Sequence, residues 1–159
     1  MNAMIRKTIA VASTLVAMAM VGPAFAHAYE QGGDGNAADC KDAYVVASRP
    51  ITGERGPTKG NVIGYLELRW SWQCHANWAR VVLFGGLYSS SVTVRQEITV
   101  AGRTAISEDG GIYTGENGTS AWTRYVRPEN PESAACVQAS VSSDFGTLNF
   151  HTVGTHFCV

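Results

Sequence analysis

Charge is scarce in this chain: Asp, Glu, Lys and Arg make up 16% of its 159 residues, and the 12 basic side chains are matched by 13 acidic ones. A surface that follows a phosphate backbone needs clustered cations, so nucleic acid is excluded as a partner. Long apolar runs are also missing. The longest, Thr8–Val21, holds about fourteen residues, short of the roughly twenty that a helix needs to cross a bilayer. Catalytic signatures are absent too. There is no Gly-x-Ser-x-Gly elbow, no His-Glu-x-x-His helix and no glycine loop of the phosphate-cradling kind. His75, His151 and His156 are candidate bases, but Ser143 and Asp144 are only their neighbours along the chain, whereas triads assemble in space. Glu67 and Glu97 are equally unanchored as a carboxylate pair. A non-enzyme that binds no cofactor is expected.

What the chain does have begins with an export signal. Arg6 and Lys7 precede the uncharged run, Gly22 and Pro23 end it, and Ala24-Phe25-Ala26 supplies the small-x-small pattern of a cleavage site. Ala26-His27-Ala28 repeats that pattern, so the cut falls after Ala26 or after Ala28. The first cysteine is Cys40, too far on for a lipid anchor, and the C-terminal Phe157-Cys158-Val159 is no sorting tail. The expectation is a signal peptide over residues 1–26, a flexible polar leader over 27–39, and one domain over 40–159, secreted without a membrane anchor. Losing Arg6 and Lys7 makes the mature part weakly acidic.

All four cysteines, Cys40, Cys74, Cys136 and Cys158, lie in that domain. An even count in an exported chain is read as disulfides. Four cysteines allow three connectivities, and the local pairing Cys40–Cys74 with Cys136–Cys158 is expected because each bond closes a loop within one half. The rival is a metal site using His75, His151, His156 and the thiols. Its spacings match no C-x2-4-C or H-x3-5-H pattern, so no metal is expected.

Beyond Cys40 the hydrophobic period is two. Leu66, Leu68, Trp70 and Trp72 alternate with Glu67, Arg69 and Ser71, and the Val92–Val100 run alternates valines and Ile98 with Thr93, Arg95, Glu97 and Thr99. Such runs are half-buried strands. Weaker ones cover Tyr44–Ser48, Asn77–Phe84, Ala121–Arg127, Cys136–Val141 and Thr147–Val153. Turn signals separate them, among them Thr52–Gly60, Gly85-Gly86, Asp109-Gly110-Gly111 and Pro128–Ser133. The fold class expected is all-β, a small antiparallel sandwich or barrel with two disulfides.

The densest stretch is Gly64–Arg80, GYLELRWSWQCHANWAR. Its Glu67, Leu68, Arg69, Trp70, Ser71, Cys74, Asn77, Trp78, Ala79 and Arg80, with Cys40, Asp42 and Ala43 upstream, resemble the actinobacterial secreted family catalogued as domain of unknown function 2690. The block covers about a quarter of the mature chain. The resemblance implies a compact secreted domain and no particular activity.

The residues themselves suggest a latch at one hairpin. Glu67 would pair with Arg69 and Arg80, since carboxylate and guanidinium groups on neighbouring strands fix register. Trp70, Trp72 and Trp78 either pack in the core, the commoner fate, or form a binding surface on which sugar or peptide would stack. The function expected is a non-catalytic binding domain with a protein or glycan partner in the extracellular space or cell envelope. The alternatives are a secreted protease inhibitor presenting Thr52–Lys59 with Arg55 and Lys59, and a wall or polysaccharide hydrolase.

Overall fold

The computed structural model describes residues 40–87, 91–143 and 155–159. The expected signal peptide and leader, the weak run Thr147–Val153 and His151 lie outside the described residues. Among these residues eight strands follow one another: β1 Tyr44–Thr52, β2 Val62–Ser71, β3 Ala76–Leu83, β4 Val92–Val100, β5 Arg103–Ile112, β6 Thr119–Trp122, β7 Ala135–Ser143 and β8 Thr155–Cys158. They form two four-stranded sheets, ordered β1-β2-β3-β6 and β5-β4-β7-β8, and every neighbouring pair is antiparallel. Among the described residues no helix is long and apolar enough to cross a membrane.

Period-two patterning builds the core directly. Leu66 and Leu68 of β2, Ala79, Val81 and Leu83 of β3, and Val92, Val94, Ile98 and Val100 of β4 all turn inward. They meet Val137, Ala139 and Val141 of β7 and Phe157 of β8 in one buried cluster between the sheets. Each large aliphatic side chain taken from water there stabilises the fold by about 1.5–3 kcal/mol. Pro50 sits in β1, an edge strand, where a missing N–H disturbs only one ladder.

The disulfides are Cys40–Cys74 and Cys136–Cys158. The first ties the start of the domain to the β2–β3 turn. The second joins residues directly opposed on β7 and β8.

Two strands were not legible as such: β8, which no alternating run covers, and β5. β5 carries Ala105, Ser107 and Asp109 opposite the inward residues Ile98, Gln96 and Val94 of β4, while its one large apolar residue in that stretch, Ile106, is exposed. Its inner face is small and polar, so no apolar alternation marks it. The β4–β5 connection is a two-residue turn, Ala101-Gly102, with φ of 49° and 76°. Two positive φ values in succession suit the right-handed twist of a hairpin, but alanine resists that region by about 1–2 kcal/mol. Replacing Ala101 with Asn is expected to raise stability by about 0.5–1 kcal/mol, read from urea denaturation midpoints.

Candidate functional site

The β2–β3 hairpin carries a polar lattice on the face away from the main core. Register places Glu67 opposite Arg80 and Arg69 opposite Trp78. Glu67 Oε2 lies 3.4 Å from Arg69 Nη1 and 3.7 Å from Arg80 Nη1, so one carboxylate joins two guanidinium groups across two strands. Arg69 also donates to the Ala43 carbonyl at 3.3 Å and lies 5.9 Å from the Trp78 ring centroid. That arginine therefore binds the 40–43 segment to the sheet while covering an indole.

A second buried cluster sits under this lattice, made of Cys40, Cys74, Ala76, Trp78 and Tyr125 with Ala43 against it. The turn above it is capped by Asp42. Its carboxylate accepts the Ser71 hydroxyl at 2.5 Å and the Gln73 N–H at 2.9 Å, and Ser71 Oγ in turn accepts the Cys74 N–H at 3.0 Å. The Ser71 hydrogen bond holds the Asp42 carboxyl below its ordinary range; desolvation opposes the shift, and the Gln73 N–H adds to it. A lowered pKa in the folded state means that Asp42 contributes stability above the unfolded value of about 3.9, and that this contribution is lost as pH falls through the folded value. Melting temperatures of the wild type and Asp42→Asn are expected to differ at about pH 5–6 and to converge toward pH 2, as thermal melts across that range would show.

The three hairpin tryptophans have different fates. Trp78 is fully buried and Trp70 is 5% exposed, whereas Trp72 is 55% exposed. Parity placed Trp72 on the face of Leu66, Leu68 and Trp70, but β2 ends at Ser71 and the chain turns there, so Trp72 swings outward. It stands edge-on to Trp70 at 5.2 Å between centroids, and His75 packs against both rings at 6.4 and 6.5 Å. His75 holds a φ of 48° to close this turn. Beside the rings is a hollow of about 230 Å³, bounded by Tyr44, Trp70, Trp72, Asn77, Glu132 and Val159 among others. The Trp70 indole N–H is buried without a hydrogen-bond partner. Tyr44, Val46 and Val159 add exposed apolar surface around Trp72.

No family model, curated protein or solved structure matches the chain. The site is therefore read from its geometry.

The rival metal reading gathers Cys136, His156 and Cys158, whose ligand atoms lie within 4.8 Å of one another. Both sulfurs are joined in a disulfide, and a disulfide offers no thiolate to a cation.

A larger feature escaped the sequence reading. At the side of the sandwich where β5 and β6 are the edge strands, the sheets leave a groove of about 920 Å³, lined by Ala105, Ser107, Asp109, Ala121 and Thr123 among others. Behind it Gln96 is fully buried on the inward face of β4. Its Nε2 donates to Asp109 Oδ2 at 2.7 Å, and Ser107 Oγ donates to the same oxygen at 3.0 Å. The signal was present in the sequence, as a glutamine where the alternation of β4 calls for an apolar residue.

Proposed function

We propose that the chain is an exported, non-catalytic binding domain that engages a protein or glycan of the extracellular space or cell envelope at the β2–β3 hairpin end. The observation that carries this reading is the exposed Trp72, held edge-on by Trp70 and His75 beside a hollow. A rigid aromatic ring presented to solvent loses little entropy on binding and offers a flat face to sugar C–H groups or to an apolar side chain. Export is supported by two disulfides, the usual equipment of small domains in oxidising compartments, and by the resemblance of the Glu67–Arg80 block to a secreted family. The test is co-sedimentation of the chain from residue 27 onward with insoluble cell-wall material. Binding that falls at least tenfold in Trp72→Ala, with an unchanged melting curve, supports the reading. Equal binding by the variant, or turnover of the wall polymer, overturns it.

The inhibitor reading draws support from the β1–β2 loop. Gly53 and Lys59 are bridged, and Gly60 N–H donates to the Gly53 carbonyl at 2.7 Å. Thr58 is buried, which leaves Glu54, Arg55, Gly56 and Pro57 exposed on a loop pinned at both ends. Arg55 has extended backbone, with φ −140° and ψ 165°. Stoichiometric titration against a trypsin-like protease, with and without Arg55→Ala, decides this reading; no inhibition dismisses it.

A further inference from the structure

The groove between β5 and β6 lies on a different part of the molecule from the hairpin end and has its own chemistry. Among the described residues β5 pairs only with β4, and β6 only with β3, so between Arg103 and Asp109 the outer side of β5 is a free strand edge. The inner residues along this side are short: Ala105, Ser107 and Asp109 on one sheet, Ala121 and Thr123 on the other. No large side chain among them fills the space between the sheets, which is why a groove of about 920 Å³ stays open there, within the range of ligand-binding clefts.

The inner wall is selective. Asp109 Oδ2 already accepts from Gln96 and Ser107. Gln96 Oε1 is buried and has no partner among the described residues. An unpaired buried acceptor costs about 1–3 kcal/mol, and this one lies on the same amide that is bonded to a groove-lining carboxylate. Among the charged residues of the lining, Asp109 and Glu108 outnumber Arg124, so the wall is net negative and a complementary ligand brings donors and a positive charge. Trp122 is opposite Arg80 on the outer face of its sheet and borders the groove at its rim.

We propose that the groove takes an extended segment of a partner protein as an added strand along the free edge of β5, with a lysine or arginine of that segment seated against Asp109. Main-chain pairing would supply the affinity and the inward basic side chain the specificity, as in other strand-addition complexes. From Arg103 to Asp109 the edge offers seven residues, roughly 20–24 Å of strand. The same charges discriminate against a second copy of this chain, since another β5 would bring its own Glu108 and Asp109 to the edge.

The test uses fluorescent seven-residue peptides of alternating Thr and Val with Lys, Gln or Glu at the centre, titrated against the chain from residue 27 onward. The Lys peptide is expected to bind at least tenfold more tightly than the Gln peptide, and the Glu peptide not at all. Amide exchange over residues 103–109 should slow only when the Lys peptide is bound. Asp109→Asn, which keeps its shape, should reduce Lys-peptide binding at least tenfold. Ala121→Leu, which fills the groove from the opposite sheet, should reduce it to a similar degree with the melting temperature maintained. Equal binding of the Lys and Glu peptides, undiminished binding to Asp109→Asn, or protection of the same amides by soluble cell-wall oligosaccharides and not by the Lys peptide would overturn the proposal.

Discussion

Replacing Cys40 and Cys74 together by serine is expected to destabilise the domain more than the same change at Cys136 and Cys158, although each bond closes a short stretch of chain. The sequence separations are 34 and 22 residues. Loop-closure entropy alone gives about 3–4 kcal/mol for either, with little to separate them. The difference comes from surroundings. Cys40 is fully buried and Cys74 is 6% exposed, packed with Trp78 and Tyr125, whereas Cys158 is exposed and Cys136 half-buried. Two serine hydroxyls placed in the first site add about 1–3 kcal/mol each where no partner is found for them. In the second, water solvates them. Cys40 also starts the segment whose Asp42 and Ala43 accept hydrogen bonds from the hairpin, so its release frees those contacts as well. Urea denaturation of the two double variants should give midpoints in that order, with the near-ultraviolet tryptophan signal altered only in the first. The opposite order would mean that the cluster around Trp78 contributes little.

How far the sequence predicted this molecule depended on whether partners lie near each other along the chain. Both disulfides, the hairpin of β2 and β3 and the alternation of β4 were legible, because period-two patterning and loop closure are local properties. The Glu67, Arg69 and Arg80 contacts belong with them, since the tight hairpin sets Glu67 opposite Arg80 and two residues from Arg69. β5 was not legible, and the cause is physical: a strand whose inner face borders an open groove has no apolar side chains to show. Its residues Asp109-Gly110-Gly111 read as a turn because Asp-Gly-Gly is turn chemistry, yet they continue the strand. The groove was therefore hidden along with the strand that forms it, and only Gln96 pointed toward it. The separate fates of the tryptophans were hidden differently. On parity Trp78 falls on the face opposite Ala79 and Val81, a face that would be solvent-exposed in a bare two-sheet sandwich. It is buried because Cys40, Ala43 and Tyr125 cover it, and Tyr125 comes from a segment 47 residues further along the chain.

That arrangement makes the two neighbouring indoles behave in opposite ways on truncation. Trp78→Ala removes a fully buried ring that touches Tyr125 at 4.7 Å between centroids and lies beneath Arg69. Loss of a large aromatic from a packed site costs about 3–5 kcal/mol through lost transfer energy and the cavity left behind. Here the loss also exposes the partly buried Arg69 and the first disulfide to water. Trp72→Ala takes away a ring that is 55% exposed and makes mainly edge contacts with Trp70 and His75, so stability should change by about 0.5–1 kcal/mol at most. Binding at the hairpin end should respond in the reverse sense: abolished or cut at least tenfold by Trp72→Ala, and retained by whatever fraction of Trp78→Ala remains folded. Denaturation midpoints for both variants, set against wall binding corrected for folded fraction, test both halves together. A Trp78→Ala protein as stable as the wild type would remove the basis for treating residues 40–43 and Tyr125 as the cover of this face. A Trp72→Ala protein that loses several kcal/mol would make that ring a structural prop, and the hairpin end would no longer be a candidate for recognition.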